Sequence, residues 1–341
     1  MAEKKSSIIA SLWRDYSYVV VFLIIFAIFA ATSSGLTVNA TMNILRHSAV
    51  IGIIAIGMGM VCLTAEIDLS VGSMLAMVSG MSVVVFNASD SIVLTLIFAL
   101  GFGALCGAVN GVLVGIAKMP SFIVTLATML IYRSFAQYIC QHIDKDLAGG
   151  GSSVYRMIPK HDAFASLFAF GNTKFLTLPI VGIVLVLTTL LFVYILEQTK
   201  YGKKIYATGS SSKGAFMAGI NVSVIKTSVF VLTGVLVGLA SFLWIAMNAS
   251  SDPATTGKGY EMYAIAAVVL GGISMAGGKG RCLGILFGAL SYTVIDKIII
   301  ALKMDSLIND AVKGIILIAV ILIQITGPQI KQKCSKLLNK G

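Results

Sequence analysis

Charged side chains are scarce in this sequence. They make up 11% of 341 residues, whereas a soluble domain typically carries about 25%. A soluble protein of this length has too much water-exposed surface to cover with so few charges. Hydrophobic residues make up 57% instead, and the mean hydropathy is +0.96. A large soluble helical domain is therefore disfavoured.

The residue patterns of common enzyme classes are also missing. The histidines are isolated, and neither an HExxH spacing nor a GxSxG elbow occurs. The cysteines are scattered singly, and those in apolar runs resemble small hydrophobic residues. We therefore expect no catalytic residue, disulfide framework or metal site. The residues concerned are His47, His142 and His161, and Cys62, Cys106, Cys140, Cys282 and Cys334.

A phosphate-binding loop is absent as well. The nearest approach to GxxxxGK[ST] ends at Lys279, where Gly280 replaces the magnesium-binding hydroxyl and Ile273 replaces the first glycine. We expect this chain to bind neither ATP nor another cofactor by that route. If it belongs to an ATP-driven system, the ATPase is a separate subunit.

Long apolar runs fill most of the chain. Each is close to the length of roughly twenty residues that crosses a hydrocarbon core, and none shows the alternation of a membrane β-barrel. The sequence predicts an all-α, polytopic transmembrane helical bundle of about ten spans. The runs are 18–32, 47–65, 70–87, 91–117, 120–139, 178–197, 223–247, 262–277, 282–302 and 308–326.

The basic residues indicate a topology. The net charge is +11, but Lys and Arg lie at the ends of apolar runs rather than among aromatics, so no nucleic-acid partner is expected. Alternating spans place most basic loops on one side, which the positive-inside rule makes cytoplasmic together with both termini. No cleavage site precedes Thr32. We expect a cytoplasmic tail over 1–17, one membrane domain over 18–327 and a basic cytoplasmic tail over 328–341.

Two long connections interrupt the runs. The external segment, about 141–176, contains consecutive glycines and fits either a flexible connection or a surface for an external partner. The cytoplasmic segment 199–221 begins with basic residues and continues with small ones. Small side chains allow a short helix to lie closely in a partner's groove, whereas composition alone also fits a linker. Both alternatives remain open.

Glycines recur every four residues along the fourth run. Such ridges drive helix association in lipid, where no hydrophobic effect acts between helices. We favour tight helix packing over ligand contact for them. The ridge is Gly103, Gly107, Gly111 and Gly115, and similar spacings occur at Gly234 with Gly238 and at Gly280 with Gly284 and Gly288.

Charges between or within apolar runs are candidates for function. Glu66 and Asp68 stand between the second and third runs. Asp68 with Ser70 is typical of a helix start, where a side-chain oxygen caps free amides. The alternative is a broken helix beside a transport pathway. Other such charges are Arg133, Asp296, Lys297 and Lys313, of which Lys313 is spaced to pair with Asp310.

Several short motifs follow one another from about residue 40 to 325. They are IDLSVGS at 67–73, NG at 110–111, PSFIVTL at 120–126, YGKK at 201–204, GIN at 219–221, YAIAAVVLGG at 263–272, GGKG at 277–280 and KG at 313–314. Together they resemble the permease subunits of ribose-, galactose- and xylose-type ABC sugar importers. Ala65-Glu66 departs from the small residues common there, Ser211 replaces a frequent asparagine, and Asp296 is unusual.

The resemblance implies a permease of the bacterial plasma (inner) membrane that forms a sugar pathway, paired in the lipid with a second copy or a paralogue. It implies cytoplasmic ATP-binding-cassette ATPase subunits, which bind ATP and Mg²⁺ and dock on a coupling helix at about 206–219. It also implies a periplasmic or lipid-anchored sugar-binding protein. The expected coupling residues are Tyr201, Gly202, Lys203, Lys204, Gly209, Lys213, Gly214, Ala215 and Gly219.

The residues expected at a pathway or broken helix are Glu66, Asp68, Ser70, Gly72, Gly277, Gly278 and Gly280. Two other functions remain in play. An ion-coupled secondary transporter or channel would use Glu66, Asp68 and Asp296 as its relay. An intramembrane enzyme or scaffold is disfavoured because no nucleophile–base set is present.

Overall fold

The computed structural model describes residues 18–32, 37–151, 153–303, 311–315, 318 and 322. Four short strands form two antiparallel pairs, β1 Tyr155–Arg156 with β4 Ser250–Ser251 and β2 Lys174–Phe175 with β3 Leu178–Pro179. The helices are α1 Tyr18–Thr32, α2 Val38–Leu63, α3 Val71–Ser89, α4 Ile92–Gly111, α5 Ser121–His142, α6 Lys145–Ala148, α7 Asp162–Asn172, α8 Ile180–Gln198, α9 Lys200–Ser210, α10 Ser212–Met217, α11 Val222–Asn248, α12 Tyr260–Leu270 and α13 Cys282–Ala301.

Among the described residues, seven helices are long and apolar enough to cross a membrane, namely α2, α3, α4 with its π-helical extension Val112–Ile116, α5, α8, α11 and α13. The apolar helices α1 and α12 are shorter. A helical membrane protein is thereby confirmed, while about ten spans and cytoplasmic termini stay predictions. The predicted tails 1–17 and 328–341 and most of the tenth run, 308–326, lie outside the described residues.

Three helices occupy the centre of the bundle. Within their most apolar stretches, 83% of residues are buried in α2, 78% in α3 and 72% in α11, against 28% in α4 and α5 and 33% in α8. The outer helices expose many large apolar side chains, which suits helices that face lipid rather than water. The central helices therefore position the polar residues described below.

The second and third apolar runs are separated by a non-helical segment, 64–70. Helix α2 ends at Leu63, and Ala65 adopts a left-handed φ of +61°, which no helix continues through. Helix α3 begins at Val71. This break places Glu66 and Asp68 between two helices, as the sequence predicts.

Helix α12 is shorter than the predicted span that it overlaps. The run 262–277 was expected to be one crossing, but the helix ends at Leu270, where Gly271 and Gly272 follow and Gly272 has a φ of +81°. Its 11 residues rise about 16 Å, roughly half of a hydrocarbon core. The chain continues to α13 as a non-helical loop, 271–281.

The two long connections have secondary structure of their own. The segment at about 141–176 contains α6, β1, α7 and β2. Asp90 accepts hydrogen bonds from the first amides of α7, at Asp162 (2.9 Å) and Ala163 (3.0 Å). The segment 199–221 contains α9 and α10, which are joined at Ser211.

Candidate functional site at one end of the bundle

Three distant segments meet where α2 ends. A Cβ atom on Gly209 of α9 would lie 1.8 Å from the Leu63 carbonyl oxygen and 2.7 Å from the Gly278 nitrogen. The Gly278 amide in turn donates to the Leu63 carbonyl at 3.0 Å. Only a residue without a side chain fits at Gly209. We call this meeting of α9, the end of α2 and the loop 271–281 the junction.

The glycines of the loop are needed for the same contact. Gly277 and Gly278 have φ values of +85° and +66°, a region that side chains rarely adopt. A Cβ on Gly277 would lie 2.8 Å from the Ala65 Cβ, and one on Gly278 would lie 2.1 Å from the Ser210 Oγ. The predicted coupling segment and the predicted pathway glycines are therefore in direct contact.

Tyr206 fastens α9 to the far end of the same loop. Its hydroxyl donates to the Gly280 carbonyl at 2.9 Å. Burial raises the pKa of Tyr206 to about 12, so the hydroxyl keeps its proton at neutral pH. The expectation that Gly280 belongs to a helical ridge with Gly284 and Gly288 was wrong, because α13 begins only at Cys282. Sequence reasoning did not single out Tyr206.

The break between α2 and α3 contains a buried polar network. The Asp68 Oδ1 accepts from the Ser70 amide (2.9 Å) and hydroxyl (2.6 Å), and Asn110 of α4 donates to the Ser70 Oγ (2.8 Å). Asp68, Ser70 and Asn110 are all fully buried. Ser70 is the N-cap of α3 and makes no side-chain capping bond. Asp68 thus stabilises the turn before the helix rather than the first-turn amides, which corrects the expected capping role.

Glu66 forms an ion pair that the sequence analysis missed. Its partner is Lys226 in the first turns of α11. The two side chains are only 15% and 20% exposed, so water screens their attraction weakly. A charge at position 226 inside an apolar run was the available signal. The pair connects the break directly to the helix that follows the coupling segment.

Gly72 lies against a segment that returns into the bundle after β4. A Cβ there would be 2.2 Å from the Gly257 carbonyl oxygen. Arg133 of α5 holds this returning segment, donating to the carbonyls of Pro253 (3.0 Å) and Thr256 (2.6 Å). Arg133 had no predicted role. Its acceptors are main-chain oxygens, which leave no sequence signature.

The remaining predicted coupling residues divide between two faces. Tyr201, Gly202 and Ala215 face the bundle, where the Tyr201 hydroxyl meets the Ser228 hydroxyl at 2.8 Å. The opposite face carries two large exposed apolar side chains, Phe216 (70%) and Met217 (78%). Also exposed are Lys203, Lys204, Lys213, Gly214 and Gly219. Exposed apolar side chains rimmed by charge are typical of a protein-binding surface.

The glycine ridge of α4 faces α11 along its length. A Cβ on Gly103 would lie 2.3 Å from the Gly234 carbonyl, on Gly107 2.3 Å from the Phe230 carbonyl, on Gly111 2.7 Å from the Thr227 carbonyl, and on Gly115 2.3 Å from the Thr227 Oγ1. The α4 ridge is therefore a backbone-to-backbone contact with α11.

Another ion pair lies toward the end of the bundle opposite the junction. Asp296 pairs with Lys313 at 2.8 Å, and the Lys313 ammonium lies over the rings of Tyr263 and Tyr292 at 4.8 and 5.4 Å. The alternative partner expected for Lys313, Asp310, lies outside the described residues. Asp296 thereby acquires a partner that sequence reasoning left unnamed.

Metal ligands are not grouped in the described part of the chain. No three His, Cys, Asp or Glu side chains there could hold an ion. Cys62, Cys106, Cys140 and Cys282 are buried free thiols. The contacts described at this site are packing, hydrogen bonds and a charge pair between separate segments.

Comparison with known proteins gives the site its context. Residues 40–321 match the family described as branched-chain amino acid transport system / permease component. The chain is 35% identical to the ribose import permease protein RbsC of Escherichia coli K12, covering 92% of this chain and 94% of that protein. It is 34% identical to RbsC of Bacillus subtilis 168, covering 83% of each.

A third relative has a different name. The chain is 32% identical to the autoinducer 2 import system permease protein LsrC of Salmonella typhi, covering 86% of this chain and 80% of that protein. No solved structure matches. The family match covers most of the chain, and the helices above are apolar enough to cross a bilayer. The chain belongs to this permease family and is a multi-pass protein of the bacterial inner membrane.

Proposed function

We propose that this chain is the membrane subunit of an ATP-driven importer for a monosaccharide such as ribose. The observation that carries the proposal is the similarity to ribose import permeases over 83% to 94% of their length. An external binding protein delivers the sugar, and separate ATPase subunits bind ATP and Mg²⁺. This chain supplies the passage and is not itself an enzyme.

The two faces of the coupling segment support this division of labour. Phe216 and Met217 are largely exposed and suit a groove on an ATPase subunit. On the other face, Gly209 contacts the Leu63 carbonyl and Tyr206 is bonded to Gly280. A displacement of α9 by the ATPase therefore acts on α2 and on the loop 271–281 together.

The break at 64–70 is the element we expect to respond. It directly follows Leu63, and Glu66 ties it to Lys226. A ligand or motor shifts such an equilibrium only by interacting differently with its two states. We infer that the Glu66–Lys226 pair and the Asp68 network rearrange when the pathway changes the side to which it opens.

Three finer features complete the proposal. Both termini are cytoplasmic and the chain crosses about ten times, which would place the basic segment 199–221 on the cytoplasmic side in accord with the positive-inside rule. A second permease copy or a paralogue shares the pathway. Membrane lipid surrounds α4, α5 and α8, whose apolar side chains are largely exposed.

Uptake in the native bacterium tests the function. Deleting the gene should abolish uptake of radiolabelled ribose, and a plasmid copy should restore it. In cells with an inactivated ATP synthase, arsenate should stop uptake by depleting ATP, whereas an ionophore should leave uptake intact. The reverse pattern would indicate an ion-coupled transporter. Loss of leucine uptake instead of ribose uptake would overturn the proposed solute class.

Reconstitution tests the need for a motor. Proteoliposomes that contain this chain without ATPase subunits should take up no ribose, with or without ATP. Uptake by the chain alone would refute the importer proposal. Leakage of a larger sugar, measured in the same vesicles, controls for damaged membranes.

A further inference from the structure

A cavity of about 900 Å³ opens beside the junction. It lies between the end of α4, the start of α5, helix α10 and the start of α11. Four of its lining residues carry charge, namely Glu66, Lys118, Lys213 and Lys226. The apolar part of its wall includes Val114, Met119 and Pro120, together with Phe216 of the coupling segment.

The charge in this cavity is unbalanced. Lys226 is paired with Glu66. Lys118 and Lys213 are exposed and have no acidic partner among the described residues. Among the described lining residues, three lysines stand against one glutamate, an excess of two positive charges. Neither the Glu66–Lys226 pair nor the contacts at the junction involve Lys118 or Lys213.

The start of α11 adds to the positive potential. Val222 and Ser223 line the cavity, and in the described chain their amides have no hydrogen-bond acceptor. The N-terminus of a long helix carries about half a positive charge and binds anions through such amides. Lysine ammonium groups and free amides together suit a phosphate-bearing group.

Exposed apolar side chains stand beside the cavity-lining residues Gly115 and Pro120 along the chain. Ile116 is 61% exposed, Met119 42%, Phe122 55% and Ile123 56%. Ile116 ends the π-helical extension of α4, Met119 lies in the connection to α5, and Phe122 and Ile123 lie in the first turn of α5. We expect the exposed apolar faces of both helices to contact lipid. A ligand that satisfies both regions has an anionic head and an apolar tail.

We propose that the cavity binds an anionic phospholipid, with its phosphate between Lys118 and Lys213 and its acyl chains along Ile116 and Phe122. Basic pockets between membrane helices on the cytoplasmic side recognise such headgroups. Lys213 and the cavity-lining Phe216 both belong to α10, so lipid occupancy bears directly on the coupling segment. The binding itself does not depend on the identity of the transported solute.

Lipid retention by the purified full-length chain tests the site. The chain is titrated in detergent with phosphatidylglycerol or phosphatidylcholine, and bound lipid is counted by native mass spectrometry. We expect selective retention of phosphatidylglycerol. Lys118→Gln with Lys213→Gln should weaken this affinity about 30-fold, since each lysine contributes roughly fivefold. The matched control is Lys200→Gln with Lys279→Gln, which removes two exposed lysines that do not line the cavity.

Further measurements distinguish a phospholipid from other ligands of the cavity. Phe122→Ser should weaken lipid retention while both lysines remain, because the tail loses its contact. Equal retention of phosphatidylcholine, or equal loss in the control variant, would overturn the proposal. Full displacement by millimolar inorganic phosphate would identify a small-anion site instead. Loss of the lipid when the ATPase subunit is bound would identify a protein-docking surface.

Discussion

The glycine ridge between α4 and α11 allows a quantitative prediction. Gly107→Ala would place a methyl group 2.3 Å from the Phe230 carbonyl oxygen, although an ordinary contact is at least 3.4 Å. The helices would have to separate by about 1 Å to accommodate it. The same holds for Gly103→Ala against Gly234. Gly101, on the same helix, has no neighbour within 4 Å and supplies a matched control.

The expected effect follows from two opposing contributions. Overpacking costs about 1–3 kcal/mol, whereas alanine is a better helix former than glycine by about 1 kcal/mol. The second contribution applies equally to Gly101→Ala. The difference in unfolding free energy between Gly107→Ala and Gly101→Ala therefore isolates the packing cost, about 1–3 kcal/mol. Substituting Gly103 and Gly107 together should cost less than the sum, because one helix shift relieves both contacts.

Unfolding in mixed detergent micelles measures this difference. The purified permease is titrated with sodium dodecyl sulfate and its helicity is followed by circular dichroism, with refolding as the test of reversibility. Equal unfolding free energies for Gly107→Ala and Gly101→Ala would refute the close α4–α11 contact. Strict additivity of Gly103→Ala and Gly107→Ala would refute the shared helix shift.

Three further predictions concern the break and the junction. Asp68→Asn keeps an oxygen that accepts from Ser70 and should retain most ribose uptake, whereas Asp68→Ala leaves buried polar groups unpaired, at a cost of about 1–3 kcal/mol, and should abolish uptake. Equal losses of uptake in the two variants would show that the negative charge of Asp68, and not its hydrogen bonds, is required. Glu66→Lys and Lys226→Glu should each lower the thermal stability of the permease, and the exchanged pair should recover at least half of the loss; a double variant as unstable as the summed single variants would contradict the pairing. Tyr206→Phe removes one hydrogen bond, worth about 0.5–1.5 kcal/mol, and should raise ATP hydrolysis per ribose imported in reconstituted vesicles; an unchanged ratio would exclude Tyr206 from coupling.

The helical bundle could be predicted from the sequence because each membrane-spanning helix depends on the residues of its own segment. Lipid requires each spanning segment to satisfy its own backbone, so each apolar run independently indicates a helix. The ridge from Gly103 to Gly115 likewise predicted a close helix neighbour. The identity of that neighbour, α11, depends on how distant runs assemble, and the spacing along one helix contains no information about it.

The contacts of the candidate site were harder to predict from the sequence, because they too join segments that lie far apart in it. Glu66 and Lys226 are separated by 160 positions, and each has the features of an isolated charge beside a membrane span. The contacts of Gly209 with Leu63 and of Arg133 with Pro253 involve main-chain oxygens. Every residue offers a main-chain oxygen, so such a contact cannot be assigned from residue types alone.

The main-chain character of the junction also bears on the conditions under which the permease operates. Its central bond joins the Gly278 amide to the Leu63 carbonyl, and neither group titrates. Tyr206, with a pKa of about 12, does not titrate at the pH of a cell either. Salt screens charges but hardly affects a neutral hydrogen bond. Movement relayed through the junction should therefore be tolerant of the swings in internal pH and ionic strength that bacteria undergo.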